Sequence, residues 1–133
     1  MNGEIIAFCC EHSAYAAADV VGKQGLHYPE KLRVIRVPCA GRVDIIHMLK
    51  ALEEGAAAVL VLGCEDGLCQ HLTGNVRAKE RVKYSETLLT EVGIDGGRVG
   101  MFNLAANAPH KFIKIINEVN DRIKEREREN DSR

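Results

Sequence analysis

The stretch Ala58-Val59-Leu60-Val61-Leu62-Gly63 decides the fold of this 133-residue chain. Its apolar residues stand on consecutive positions and not on alternate ones, which is typical of a parallel strand covered on both faces. Three other short apolar runs have the same character. The predicted strands cover residues 4–9, 33–38, 58–63 and 99–104.

Segments with helical periodicity separate these strands. Ser13 is the predicted cap of a short helix over residues 14–21, Gly55 ends a second helix, and Gly93 ends a third over residues 72–92. Pro109 lies in the first turn of the fourth helix. The predicted inward faces are Ile45, Ile46, Leu49 and Leu52 on the second helix, Val76, Val82, Leu89 and Val92 on the third, and Phe112, Ile115, Ile116, Val119 and Ile123 on the fourth.

Strands and helices therefore alternate along the whole chain. This order predicts a single Rossmann-like or flavodoxin-like α/β domain, with a mostly parallel four-stranded sheet and helices on both faces. We assign residues 1–123 to this domain and residues 124–133 to a charged C-terminal tail.

Composition narrows the class of function. With 46% hydrophobic residues the chain can bury one ordinary core, and its formal net charge of -1 gives no global attraction to nucleic acid or to an anionic membrane. No apolar run is long enough for a signal segment or a membrane span, so we expect a cytoplasmic protein.

All 5 cysteines fall at one predicted edge of the sheet. Cys9 and Cys10 close the first strand, Cys39 the second and Cys64 the third, and Cys69 follows in the next loop. Structural cysteines would be scattered through strand and helix interiors. Since the functional crevice of such sheets lies beyond the carboxyl ends of the strands, the pattern predicts a metal site or a reactive thiol there.

The spacing of Cys64 and Cys69 favours a metal site. C-x4-C occurs in one class of [2Fe–2S] loop, and helix N-termini at the same edge favour thiolates and an anionic cluster. His12 and His71 stand beside the cysteine loops and are alternative ligands, because imidazole replaces thiolate in Rieske clusters.

Several segments together resemble the delta subunit of methyl-viologen-reducing hydrogenase, over about residues 4–119. They are Phe8-Cys9-Cys10, Tyr15-Ala16-Ala17-Ala18-Asp19, Tyr28-Pro29, the long segment from Arg33 through Pro38-Cys39-Ala40-Gly41-Arg42-Val43 to Asp44, Glu53-Glu54-Gly55-Ala56, Val61-Leu62-Gly63-Cys64, Cys69 and Gly74-Asn75.

The resemblance implies an iron–sulfur electron-transfer subunit with a [2Fe–2S] cluster and no catalytic residues of its own. It implies docking on a flavin-containing heterodisulfide reductase A-like subunit, often in an electron-bifurcating complex. The other partner implied is a hydrogenase, formate dehydrogenase, methylenetetrahydrofolate reductase or related redox module.

For this cluster the cysteines Cys9, Cys10, Cys39, Cys64 and Cys69 are the candidate cofactor-binding residues. We take Cys39, Cys64 and Cys69 as three metal ligands. The fourth ligand is Cys10 or Cys9, and of these two we choose Cys10. Neighbouring strand residues point to opposite faces, so both should not ligate without a local kink. Many members of the family that this chain resembles carry one more cysteine where this chain has Ser13.

Two other classes of site remain open at this point. Four thiolates also bind zinc tetrahedrally, and spacing does not distinguish the two metals. A thiol-dependent oxidoreductase would use Cys9 or Cys10 at a helix N-terminus. The chain contains no C-x-x-C motif, and no phosphate-binding glycine loop follows any strand.

Overall fold

The computed structural model describes residues 3–25, 31–64 and 74–131. The strands are β1 (Ile5–Cys10), β2 (Leu32–Val37), β3 (Ala58–Gly63) and β4 (Val99–Asn103). The helices are α1 (Ala14–Lys23), α2 (Ile45–Glu53), α3 (Gly74–Glu91) and α4 (Pro109–Asp131), with short 3-10 turns at Ala40–Arg42 and Gly96–Arg98. No helix in these ranges combines the length and the apolar composition that crossing a membrane requires.

The strands form one four-stranded sheet in the order β2-β1-β3-β4. All three pairings are parallel, which confirms the predicted fold class. In the central strand, Cys9 stands opposite Leu62 of β3, and Cys10 stands opposite Val37 of β2. The carboxyl ends of β1, β2 and β3 therefore lie side by side at one edge.

Helices cover both faces of the sheet. One core joins α1 and α4 to residues such as Ile5, Leu60 and Leu62, and the other joins α2 and α3 to residues such as Ile6 and Val59. Successive residues of a strand point to opposite faces of the sheet, so neighbouring strand residues pack in different cores. Because both faces are covered, β3 is buried along its whole length, which accounts for its uninterrupted apolar sequence.

The inward face of α4 is as predicted, and all five of its predicted residues are buried. Three predictions on the other helices were wrong: Ile46, Val76 and Val92 are exposed by 68%, 57% and 72%. On α2 the buried residues are Met48 and Ala51. Ile46 lies two positions before Met48, about 200° around a helix of 3.6 residues per turn, so it faces away from the sheet.

Helix ends also differ from the sequence-based expectations. Ser13 occupies the N-cap position of α1, but its side chain makes no capping hydrogen bond, so the predicted cap was wrong in its chemistry. The helix runs past Gly22 to Lys23. At the C-terminus, α4 continues through the charged tail to Asp131. Gly55 and Gly93 do end their helices, and each has the positive φ that favours glycine.

Phe112 tests the α4 contact with the sheet, because its side chain is fully buried. We expect Phe112→Ala to lower the free energy of unfolding by about 3–5 kcal/mol, through lost transfer energy and the cavity left behind. Urea unfolding followed by circular dichroism measures this. The neighbouring exposed Lys111→Ala should change it by less than about 0.5 kcal/mol, and equal effects of the two substitutions would contradict the assigned packing.

Candidate metal centre

Two thiols meet where the central strands end. Cys10, the last residue of β1, and Cys64, which follows β3, place their Sγ atoms 3.7 Å apart. Both side chains are buried, with exposures of 1% and 5%. The Cys10 Sγ also lies 4.0 Å from the carbonyl oxygen of Pro38 and donates toward it, which links β1 to the end of β2.

Cys39 approaches the same edge from β2 in a defined turn. It stands at the N-cap of the 3-10 turn Ala40–Arg42, and its Sγ accepts a hydrogen bond from the Gly41 N–H at 3.4 Å. Its exposure is only 4%. An N–H donor of this kind stabilises negative charge on sulfur and so favours a thiolate.

Cys9 lies apart from these thiols. It is fully buried in the core formed with α1 and α4, and its Sγ donates to the Ala7 carbonyl oxygen at 3.6 Å. Burial, with a smaller contribution from the neighbouring Cys10, raises the pKa of the Cys9 thiol to about 12. Cys9 therefore stays protonated at neutral pH, and only a thiolate is an effective ligand or nucleophile.

The described cysteines form no disulfide among themselves. Within residues 3–25, 31–64 and 74–131, no three His, Cys, Asp or Glu side chains converge closely enough to hold a metal ion. Cys69 and His71 lie outside the described residues. The described part of the edge thus offers a pair of thiols in contact, with a third on the adjacent turn.

Arg81 of α3 holds in place the 3-10 turn Ala40–Arg42 with its N-cap Cys39, which we call the Cys39 turn. Its Nη1 donates to the carbonyl oxygens of Gly41 and Val43. Nothing in the sequence indicated this role, because Arg81 stands 40 positions from Gly41 on a helix with many charged residues. Only the packing of α3 against the turn brings them together.

Glycine permits that packing. A Cβ atom on Gly41 would lie 2.8 Å from the Cα of Gly74, the first residue of α3. Gly41 and Gly74 belong to separate segments of the family resemblance, and the structure brings them into contact. The contact thus holds the start of α3 against the turn that follows Cys39.

Helix α2, which follows the Cys39 turn in sequence, also starts at this edge. Asp44 caps α2: its Oδ1 accepts from the Ile45 N–H at 2.7 Å, and the Nδ1 of His47 accepts from the Asp44 N–H at 3.0 Å. His47 therefore has a structural role in a capping box. His12, the other described histidine near the cysteines, lies 3.5 Å from the Glu11 carboxylate.

Two observations show that the residues at this edge fit a metal group bound by thiolates. Two thiolates on one tetrahedral metal with metal–sulfur bonds of about 2.3 Å lie about 3.8 Å apart, which matches the Cys10–Cys64 distance. The Oγ of Ser13 is buried and has no hydrogen-bond partner among the described residues. A buried hydroxyl without a partner costs free energy unless something at the edge accepts from it.

Fold and edge together define a class: small α/β domains that gather cysteine thiols at the carboxyl ends of parallel strands. The family model described as methyl-viologen-reducing hydrogenase, delta subunit, matches residues 5–126. The chain belongs to this family.

Individual relatives agree with that membership. The vhu iron-sulfur subunit of the F420-non-reducing hydrogenase of Methanocaldococcus jannaschii is 43% identical over 123 residues, which are 92% of each chain. The subunit of the same name from Methanococcus maripaludis is 42% identical over 120 residues, 90% of each chain. The ferredoxin:CoB-CoM heterodisulfide reductase A protein of Methanosarcina mazei is 36% identical over 114 residues, which are 86% of this chain and 14% of that one.

Gly41→Ala tests the contact between the Cys39 turn and α3. Since the new methyl group would meet backbone and not a flexible side chain, we expect the free energy of unfolding to fall by about 1–3 kcal/mol. Gly22→Ala is the matched control, because nothing lies within 4 Å of its Cβ position. In a helix this control should stabilise the fold by about 0.5–1 kcal/mol. A Gly41→Ala protein as stable as wild type in urea would show that the turn and α3 are not in contact.

Proposed function

We propose that this chain is an electron-transfer subunit that holds a [2Fe–2S] cluster through Cys10, Cys39, Cys64 and Cys69. The observation that carries the proposal is the Cys10–Cys64 sulfur pair at 3.7 Å on the carboxyl edge of the sheet. Family membership supports an electron-transfer role, and the hydrogenase subunits that this chain matches over most of their length are named iron-sulfur subunits.

Cys10 is the fourth ligand in this proposal, and Cys9 is not. The two thiols leave β1 on opposite sides, as neighbouring residues of a strand do. Cys10 contacts Cys64, whereas Cys9 points into the α1–α4 core and has a pKa raised to about 12 by burial. Deprotonating Cys9 would place an uncompensated charge in an apolar layer.

The chain's own groups then bind and tune the site. A bound cluster of this class supplies one-electron storage. The Gly41 N–H donates to the Cys39 sulfur, and the N-termini of α2 and α3 and the Arg81 guanidinium add positive potential at the same edge. These groups favour negative charge on the sulfurs and would raise the reduction potential.

The proposed partners are the proteins that give electrons to this subunit and take electrons from it. A segment of the Methanosarcina mazei heterodisulfide reductase A protein is similar to most of this chain, so a domain of this kind is part of that longer polypeptide. We infer that electrons pass between a heterodisulfide reductase A-like flavoprotein and a hydrogenase, formate dehydrogenase, methylenetetrahydrofolate reductase or related module. We also propose that the complex bifurcates electrons.

Two apolar side chains beside the cysteines support docking at this edge. Ile46 and Val76 stand in the first turns of α2 and α3, and both are more than half exposed. We propose that these two exposed side chains belong to one apolar contact surface for a partner. A partner seated on them would exclude water from the cysteine edge and bring its own redox centre close.

Anaerobic purification tests the cofactor. We expect about two iron atoms and two sulfides per chain, and an EPR signal from a spin of one half after reduction. The measurement is metal and sulfide analysis beside the absorption and EPR spectra. Stoichiometric zinc without iron or sulfide would overturn the proposal in favour of a four-cysteine zinc site.

Paired substitutions test the ligands. Cys10→Ala should lower the iron content at least several-fold because it removes a metal bond, whereas Cys9→Ala should keep the iron content and the EPR spectrum of the wild type. Circular dichroism checks that both variants are folded. If Cys10→Ala retained full iron, or if Cys9→Ala lost as much iron as Cys10→Ala, the assignment of the fourth ligand would be wrong.

A further inference from the structure

Ser13 carries a hydroxyl group that the fold itself does not use. The residue is only 4% exposed, and its Oγ has no hydrogen-bond partner among the described residues. Burial of a hydroxyl in this way is unfavourable, because the group loses its hydrogen bonds to water and gains none in return. An unpaired buried polar atom in a folded domain therefore calls for a physical explanation.

Helix capping does not supply that explanation. Ser13 occupies the N-cap position of α1, where a serine oxygen commonly accepts from a backbone N–H of the first helical turn. Here the side chain makes no such bond. The hydroxyl is thus buried at the start of a helix without stabilising it.

The backbone ties Ser13 to the cysteine edge. Its N–H donates to the carbonyl oxygen of Cys10 at 3.2 Å, and its own carbonyl oxygen accepts from the Ala17 N–H at 2.9 Å. The chain therefore turns tightly between the last residue of β1 and the first turn of α1. The Cys10 sulfur lies 3.7 Å from that of Cys64, so a group bound by these two thiols would be close to Ser13.

Negatively charged sulfur is the acceptor that such a group would offer. Ligand thiolates and the bridging sulfides of an iron–sulfur cluster accept hydrogen bonds, and these bonds help to set the reduction potential. A hydrogen bond to a charged acceptor is stronger than one between neutral groups. A sulfur of this kind would offset the unfavourable burial of the Ser13 hydroxyl.

We propose that the Ser13 hydroxyl donates a hydrogen bond to a sulfur atom of the metal group held at the cysteine edge. The inference rests on the proposed cluster and deepens it. Reduction adds negative charge to the sulfurs, so the bond is stronger in the reduced state and raises the reduction potential. Ser13 acts from the β1 side of the site, as the Gly41 N–H does on the Cys39 sulfur from the β2 side.

Two other uses of the hydroxyl lead to different experimental results. A deprotonated serine oxygen could bind the metal itself, although four cysteines already supply the ligands of the proposed cluster. A trapped water could satisfy the hydroxyl without any metal group. Substitution of Ser13 therefore has to be followed by iron content, by reduction potential and by the stability of the metal-free chain.

An EPR-monitored redox titration of the Ser13→Ala protein tests the bond to sulfur. At a fixed ambient potential, the ratio of reduced to oxidised cluster should fall about tenfold, which for a one-electron couple is a midpoint lower by about 59 mV. Iron and sulfide contents should remain those of the wild type. An unchanged midpoint would overturn the proposal. Loss of iron as large as that expected for Cys10→Ala would make Ser13 a ligand and would overturn it too.

Ser85→Ala is the matched control. Ser85 is also fully buried, but its Oγ donates to the Arg81 carbonyl oxygen at 2.9 Å. This substitution should leave the midpoint unchanged. In wild-type protein exchanged into heavy water, pulsed EPR should detect a deuteron coupled to the reduced cluster that Ser13→Ala removes and Ser85→Ala keeps. Equal effects of the two substitutions would contradict a specific role of Ser13.

The full chain freed of metal gives an independent readout. There the Ser13 hydroxyl lacks its proposed acceptor, so Ser13→Ala should leave the unfolding equilibrium constant in urea unchanged or lower it. Ser85→Ala should raise this constant several-fold, because it removes a hydrogen bond that is formed. An equal rise for Ser13→Ala would mean that the fold or a trapped water already satisfies the hydroxyl, and the proposal would fail.

Metal analysis of the wild type separates this bond from the proposed cluster. A wild-type cluster with an unshifted Ser13→Ala midpoint refutes the Ser13 bond alone. Zinc in place of iron refutes the cluster alone, and the bond is then judged by zinc affinity. Ser13→Ala should lower that affinity several-fold if the hydroxyl donates to a thiolate, and an unchanged affinity would refute the bond as well.

Discussion

The parallel pairing of β1 with both of its neighbours is the constraint on which the rest of the molecule depends. Since β1 runs in register between β2 and β3, the three strands end at the same level. Cys10, Cys39 and Cys64 are far apart in the sequence, and the pairing of the strands brings them to one edge. The hydrogen bonds of the sheet fix this arrangement, and no contact among the cysteines is needed to produce it.

The same strand gives its last two residues different chemistry. Cys9 and Cys10 are neighbours in sequence and both are buried, yet one lies in an apolar layer with its pKa raised by burial, and the other contacts a second thiol. The pleat of the strand separates them. An adjacent pair of cysteines at the end of a buried strand therefore presents one thiol to the edge and keeps the other in the core.

The sequence was enough to predict the strands, their parallel pairing and the shared edge, because a short uninterrupted apolar run such as that of β3 is typical of a strand buried on both faces. It was not enough for the faces of α2 and α3. Ile46 and Val76 are apolar, and periodicity alone placed them inward, whereas the structure leaves both exposed in the first turns of α2 and α3. Arg81 and the contact of Gly41 with Gly74 arise only when α3 packs on the Cys39 turn, so no local pattern could reveal them.

Both hydrophobic layers of the domain are built mainly from residues away from the cysteine edge, such as Phe112, Ile116 and Val59. A zinc finger, in contrast, has too little core to fold until metal binds. The two cores do not need the proposed cluster in order to form, so chain folding and insertion of that cluster would be separable events. The cluster would be inserted into a folded domain that already holds Cys10, Cys39 and Cys64 at one edge.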